Sequence, residues 1–309
     1  MKAIGINSFG GSDVLQLIEI PEPPINSTQV LVDIYATSVN PADSKMRQGL
    51  YPNDQNFTFP YFLGRDFSGV VKACGKSVSE FKVGDPVFGV LPTGCEGTYL
   101  QALSIEANLI AHKPNNLPHS EAAAIALTGL TSLVAIEDTL KLQAGERILI
   151  HGGAGGVGSF AVQLASLIGC EVLTTASPAN HSYLRDLGAN QIIDYNVEDF
   201  STVLSNIDVV FDLIGGETHQ KSFKVLKSGG RMAYIAPLLK DVMPPRDDIE
   251  VVRPNVQRDR AHLLRIVALH NSGAIVAPDI QVFPLSEVRK AHNLIDTNHV
   301  RGKIILQIK

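Results

Sequence analysis

The chain has 309 residues, 45% of them hydrophobic and 18% charged, with 26 glycines and no tryptophan. At about 150 residues per domain that length predicts two domains, and the balance excludes a disordered, collagen-like or coiled-coil chain. Lysine and arginine number 26 against 31 aspartates and glutamates, a formal net charge of −5, so no global basic field invites nucleic acid or an anionic membrane. Cys74, Cys95 and Cys170 cannot all pair and none sits in a CxxC, while the opening MKAIGINSFGGSD holds no apolar core of signal-peptide length. Reduced thiols and a cytoplasmic location follow as expectations.

Residues 1–110 read as β-rich. VLQLIEI, QVLVDIYA, FSGVVKACG and DPVFGVL are short Val/Ile/Phe runs broken by Pro and Gly clusters. At Pro118 the texture changes. SEAAAIALTGLTSLVAIEDTL (120–140) predicts a long helix with Ser120 as its N-cap. From Arg147 onward strand-like runs (RILIHG, EVLTTA, QIIDY, IDVVFDLIG, RMAYIA) alternate with helical patterns such as FAVQLASLIG and HSYLRDLG. That alternation predicts a parallel sheet with helices on both faces.

The stretch 148–170 lacks Asp, Glu, Lys and Arg and is long enough to span a membrane. Five glycines between Gly152 and Gly158 favour a strand, a turn and a buried helix instead. The stretch 238–256 is irregular, with Pro244, Pro245 and Pro254, and the helix RAHLLRIVALHNSG follows. The end alternates strand, helix and strand, and its last strands are free to return to the N-terminal β-domain. No internal repeat or low-complexity tract is present.

Gly153-Ala-Gly155-Gly156-Val157-Gly158 is a GxGxxG placed directly after a strand and opening a helix. Gly153 suits the tight turn, Gly155 the approach of a pyrophosphate, and Gly158 close packing of helix on strand. The helix N-terminus adds free N–H groups and a partial positive charge. Dinucleotide binding is the reading; a tight glycine-rich turn is its bland alternative. An NAD site usually carries an acid at the end of the next strand, to hold the ribose hydroxyls. Here that strand ends Thr174-Thr175-Ala176-Ser177, with Asn180, His181 and Arg185 beyond, so NADPH is favoured.

No His/Cys spacing suits zinc, and there is no HExxH, GxSxG or GKS/T motif. His151 reads as a packed neighbour of the glycine turn. Arg253, Arg258, Arg260 and Arg265 form a loose basic cluster, read as a solvated helix face or as a contact with cofactor or partner subunit. Two polar segments stand out in the β-rich part: one runs from Ser38 through Asn40-Pro41-Ala-Asp43 to Gly49-Leu-Tyr51-Pro52, and the other is Leu63-Gly64-Arg65-Asp66-Phe-Ser-Gly69. On composition alone Tyr51 is a half-buried aromatic.

In order along the chain, Asn40-Pro41-Ala-Asp43, Gly49-Leu-Tyr51, Gly64-Arg-Asp66-Phe-Ser-Gly69, Gly84-Asp85, Leu127-Thr128-Gly129-Leu-Thr131, the AGGVG loop, Leu187-Gly188-Ala189, Asp194-Tyr195 and Arg301-Gly302-Lys303 resemble the medium-chain dehydrogenase/reductase superfamily, in its zinc-free quinone oxidoreductase (zeta-crystallin-like) branch. The similarity spans essentially the whole chain. It implies an α/β architecture: a GroES-like catalytic β-domain of residues 1–115 and 278–309, beside a Rossmann domain of residues 116–277 with a doubly wound parallel sheet, and the nucleotide between them. Zinc-dependent relatives carry a Cys where this chain has the Asn40 turn, and Gly-His-Glu where it has Gly64-Arg65-Asp66. A metal-free reaction is therefore expected: hydride transfer from NADPH to a quinone or an α,β-unsaturated carbonyl.

The resemblance also implies residue roles. Asn40 and Thr128 should face the nicotinamide and substrate, with Tyr51 near the substrate. The same run resembles the mitochondrial-type enoyl-thioester reductases, where the matching Tyr is the proposed proton donor. Cofactor contacts are expected from Asn40, Thr128, Thr131, Gly153, Gly155, Gly156, Val157, Gly158, Ser177, Asn180, Tyr195, Ile214, Ile235, Gly302 and Lys303. Many family members carry Lys where this chain has Asn180, which weakens the expected clamp on a 2′-phosphate. A homodimer paired through the edge run 249–253 is implied, with no nucleic acid or membrane partner. An enoyl-thioester reductase and a non-catalytic NADPH-binding protein are the competing readings. The substrate pocket is expected to be walled by loops 51–61 and 237–248.

Overall fold

In the computed structural model, which describes residues 1–51, 58–236 and 246–309, the strand Gln29–Val39 is the spine of the β-rich part. It is buried along nearly its whole length, as expected for QVLVDIYATSV, where both faces carry small or β-branched residues. It pairs antiparallel with Asp66–Cys74, Ala102–Glu106 and Lys303–Gln307. Pro86–Val90 and Ile110–His112 extend the sheet on one side, and Ile280–Pro284 closes the other, parallel to Lys303–Gln307. The C-terminal strands thus return to the N-terminal sheet, as expected. Val32, Ile34, Phe67, Val87 and Ile110 fill its core at 0% exposure. Truncating such a residue as Phe67 to Ala costs about 3–5 kcal/mol. A small sheet of Gln16–Glu19, Lys2–Ile6 and Tyr61–Phe62 completes this part.

The chain divides into two compact units, Met1–Leu127 with Arg258–Gly273 and Ala277–Lys309, and Thr128–Gln257 with Ala274–Val276. Arg258 and Arg260 depart from the solvated face expected of the basic cluster. Arg258 donates to the Leu91 carbonyl, and Arg260 to those of Ile110 and Ala107 while lying over the Phe81 ring. Their guanidinium groups satisfy backbone carbonyls of the first unit, which solvent alone would otherwise serve.

The second unit holds a six-stranded, all-parallel sheet ordered Gln191–Ile193, Glu171–Thr175, Arg147–His151, Ile207–Asp212, Leu226–Tyr234, Glu250–Val252. By position in sequence that order is 3-2-1-4-5-6, the doubly wound dinucleotide-binding order. Its middle strands are buried on both faces (Ile148, Leu149, Ile150, Val209, Val210 and Phe211 all at 0%), which is why they read as continuous apolar runs. The stretch 148–170 resolves into a strand, a turn and the helix Gly156–Ile168, as its glycines predict. The helix expected to start at Ser120 begins at His119, directly after Pro118. The expected loop walls fall partly outside the described residues, at 52–57 and 237–245.

Candidate active site

In the second unit five of the six parallel strands deliver an expected site residue to the same, carboxyl edge of the sheet. The glycine turn follows Arg147–His151, Ser177 follows Glu171–Thr175, Tyr195 follows Gln191–Ile193, Ile214 follows Ile207–Asp212, and Ile235 follows Leu226–Tyr234. That edge, where the strand order reverses, is where such sheets bind ligands.

The turn departs from expectation in one detail. Its left-handed residue is Gly152, at φ +73°. Gly153 is required for space instead, because a β-carbon there would collide with the Thr174 hydroxyl, which is fixed by donating to the Ile150 carbonyl at 2.7 Å. A β-carbon on Gly158 would lie 2.7 Å from the Gly153 Cα, so helix and turn pack as closely as the motif predicts. On Gly155 it would approach only the Gly152 carbonyl oxygen, at 3.5 Å, which leaves that side open to a phosphate. No side chain caps the helix Gly156–Ile168, and its first N–H groups suit a pyrophosphate. The geometry therefore fits a dinucleotide.

Thr128 and Thr131 lie one turn apart on the helix His119–Leu133, both buried. Ser132, which sequence reasoning missed, braces the turn: its hydroxyl is 3.0 Å from the Val157 carbonyl oxygen and 2.8 Å from that of Thr128. Beyond the strand Glu171–Thr175, Asn180 Nδ2 donates to Ser177 Oγ at 3.2 Å. Asp194, the nearby acid, accepts from Asn196 N–H and Nδ2 in its own turn. Tyr195 and Ile214 are about half exposed, at 49% and 56%. His151 is a packed neighbour, held between Thr175 Oγ1 and Ser222 Oγ.

In the first unit the helix Pro41–Arg47 starts with Asn40 as N-cap and Pro at its first position. The Asp43 carboxylate reaches back to accept from the Asn40 N–H at 2.8 Å. Burial pushes Asp43 up, against the pull of Arg65. Asn40 Oδ1 accepts from the Lys303 ammonium at 2.7 Å, and its Nδ2 makes only 3.4 Å contacts with Ser38 and Asp66. Lys303, expected as a cofactor contact, is thus buried against Asn40. Gly302 beside it takes φ +66°.

Tyr51 follows Gly49 (φ +71°) and is half-buried. Arg65 lies over its ring, with Cζ 5.0 Å from the centroid. This arginine, only 3% exposed, sits 3.5 Å from Asp43 Oδ1 and 3.3 Å from Glu96 Oε1. Burial works against its charge, but Asp43, the Tyr51 phenol and Glu96 outweigh that and hold the guanidinium above its ordinary range. Tyr61 donates to Glu96 Oε2 at 2.8 Å, and burial pushes its phenol up. Arg65 and Glu96 were not among the expected site residues. The available signal was a charged pair, Arg65-Asp66, inside the otherwise apolar run LGRDFSGVV. Chemically, the site offers a phenol beside a permanent cation and an amide with one loosely held N–H donor.

Comparison with known proteins agrees with this geometry. An alcohol dehydrogenase GroES-like domain matches residues 26–115, and a zinc-binding dehydrogenase model matches residues 187–306. The chain is 30% identical to the mitochondrial NAD(P)H oxidoreductase RTN4IP1 of Danio rerio, over 100% of this chain and 91% of that protein. It is 33% identical to the chloroplastic NADPH-dependent alkenal/one oxidoreductase of Arabidopsis thaliana, over 99% of this chain and 79% of that one. The structure of the quinone oxidoreductase from Coxiella burnetii superposes with a TM-score of 0.92 at 33% identity, covering 100% and 99% of the two chains.

These relatives overturn the expected cytoplasmic location, since RTN4IP1 is mitochondrial in fish, mammals and Dictyostelium alike. Unpaired thiols report a reducing environment and do not distinguish one reducing compartment from another.

Among the described residues the donors do not suit the zinc that the second family model's description implies. Asp43 and Glu96 already flank Arg65, and Asp66 lies near the Lys303 ammonium, so these cations would repel a metal ion. Fold, strand order, ordered motifs and full-length relatives converge, and the chain belongs to the zinc-free quinone oxidoreductase branch of the medium-chain dehydrogenase/reductase superfamily.

Proposed function

We propose that this protein is an NADPH-dependent reductase of quinones or α,β-unsaturated carbonyls that works without a metal. The observation that carries the reading is Tyr51 lying against the buried Arg65 guanidinium, which also hydrogen-bonds its side chain; the phenol oxygen accepts from that cation and keeps its own proton for an acceptor oxygen. Bound NADPH supplies the hydride. On an enone, hydride addition at the β-carbon leaves negative charge on oxygen. Tyr51 donates a hydrogen bond and then its proton to that enolate, and regains a proton from water. Asn40 contributes its Nδ2–H donor, and Thr128 and Thr131 contribute polar contacts from their helix. Preference for NADPH is supported by the lack of an acid among Thr174–Asn180 and by the NADPH-dependent Arabidopsis relative. Tyr195 and Ile214 offer exposed apolar surface for the nucleotide.

The test is NADPH and NADH oxidation measured across quinones, 2-alkenals and enoyl thioesters, before and after exhaustive chelator dialysis. Turnover of quinones or alkenals with NADPH, unchanged by dialysis, is the expected result. Turnover confined to enoyl thioesters, no turnover at all, or activity lost on dialysis and restored by zinc would each overturn the reading.

A further inference from the structure

Arg65 is an expensive residue to bury, because a guanidinium loses its hydration and needs compensating partners. Asp43 and Glu96 compensate the charge, at 3.5 and 3.3 Å. Each of these carboxylates is itself immobilised, Asp43 by the Asn40 N–H and the Tyr99 hydroxyl, Glu96 by the Tyr61 hydroxyl. Met46 Sδ contacts Nη2 at 2.8 Å. The guanidinium is therefore held on several sides by elements far apart in the chain.

Charge balance alone would accept a lysine. What a lysine lacks is the planar five-donor fork that lets Arg65 lie over the Tyr51 ring and hydrogen-bond its side chain while it faces both carboxylates. Tyr51 is half-buried. It lies beyond the end of the helix Pro41–Arg47, after the left-handed Gly49 and after Leu50, which is 66% exposed. Its side chain packs against the apolar cluster that includes Leu63 and Tyr99.

We propose that Arg65 is the positioning residue for Tyr51: its buried guanidinium plane, clamped between Asp43 and Glu96, fixes the phenol ring so that the hydroxyl meets the acceptor oxygen. The catalytic consequence rests on the proposed function, whereas the positioning itself does not. An acceptor that needs the phenol, an enone, depends on Arg65 through Tyr51. A quinone, whose reduced anion is stabilised by its own ring, depends on it far less.

The test uses the full chain labelled with 3-fluorotyrosine. Seven tyrosines give fluorine signals, and Tyr51→Phe identifies the one of interest. In Arg65→Lys, which keeps a cation between the two carboxylates, the Tyr51 signal should move toward the solvent-exposed position and sharpen. Enone kcat should fall about tenfold with quinone kcat within about twofold, as for a misplaced catalytic group. Adding Tyr51→Phe to Arg65→Lys should cost no more than Tyr51→Phe alone. An unmoved Tyr51 signal overturns the proposal, and so do equal losses on both acceptors. If wild-type protein reduces neither acceptor, the proposed function fails while the fluorine signal still decides the role of Arg65. Should Arg65→Lys not fold, Glu96→Gln releases one side of the clamp: movement of the Tyr51 signal there supports the proposal, and a fixed signal overturns it.

Discussion

The Lys303 ammonium donates to Asn40 Oδ1 at 2.7 Å and to the Val39 carbonyl at 3.2 Å, with both side chains buried. Burial pushes this lysine below its ordinary range, against the pull of Asp66 and Asp43. A cationic donor on Oδ1 settles which way the Asn40 amide points, and leaves Nδ2 with long contacts only. The last strand thereby orients the N-cap residue of the helix Pro41–Arg47. Lys303→Met should cost about 1.5–3 kcal/mol, the range of a charge-assisted hydrogen bond. Thermal denaturation should show a lower Tm, and kcat/KM should fall about ten- to hundredfold if Asn40 works at the reaction centre. Unchanged kcat/KM at lowered Tm would reduce Lys303 to a structural tie.

Tyr51→Phe separates the two acceptor classes. Removing a general acid typically costs about 10²–10⁴-fold, and only the enone reaction needs one. Steady-state rates should therefore collapse on alkenals and change little on quinones, with NADPH affinity near that of wild type. Small equal losses on both would leave Tyr51 as a pocket wall.

Cofactor choice should respond to Asn180, which lies beside Ser177 with no charge of its own. Asn180→Lys adds a cation at the position where many family members carry one, worth roughly 1.5–3 kcal/mol if it meets a 2′-phosphate. Titration should show wild-type protein favouring NADPH over NADH and the variant widening that ratio. Equal affinities in both proteins would remove the 2′-phosphate from this site.

Among the described residues the strand Glu250–Val252 pairs only with Leu226–Tyr234 and ends the parallel sheet. An open edge of this kind invites a second copy across a two-fold axis. Light scattering should give twice the mass of the chain. A single-chain mass held across micromolar concentrations would refute the dimer.

The nucleotide half was legible because its signal is local: an apolar strand, a glycine turn and a helix follow one another within RILIHGGAGGVGSFAVQLASLI. Even there the reason for Gly153 was not legible, since the Thr174 hydroxyl that excludes a β-carbon comes from the next strand. Asn40 and Tyr51 came from an ordered family pattern. Arg65 stood in that pattern too, but its place at the site and its pairing with Glu96 did not come from it, because their meeting depends on where two strands lie: Arg65 precedes Asp66–Cys74 and Glu96 follows the paired Pro86–Val90. Arg258 and Arg260 misled for a related reason. A basic cluster on a helical pattern looks solvated until the carbonyls of Leu91 and Ile110 are brought to it by the sheet.

Two buried histidines should make the protein sensitive to mild acid. Burial pushes His151, held between the Thr175 and Ser222 hydroxyls, down to about 4 against the pull of Asp212. Burial and the Arg47 charge push His292 down to about 3. An unfolded histidine titrates near 6.5, so below that pH the unfolded chain binds protons that the folded chain refuses. Stability is then complete above about pH 6.5 and declines as pH falls toward 4 for His151 and toward 3 for His292. The slope is about 1.4 kcal/mol per pH unit per histidine, or roughly 2 kcal/mol each by pH 5. Carboxylates such as Asp212, held low by His219 and by the Gly215 and Ile214 N–H groups despite burial, lose their contribution only below the ordinary carboxylate range. The two windows therefore separate. Urea denaturation at pH 7.5 and pH 5 should show a clear loss at the lower pH, smaller in His151→Gln, whose amide can still meet both hydroxyls; His119, pushed down to about 4 by burial, and His292 keep the remainder. Equal wild-type stability at the two pH values would mean that these histidines accept protons in place, and the argument from their burial would fail.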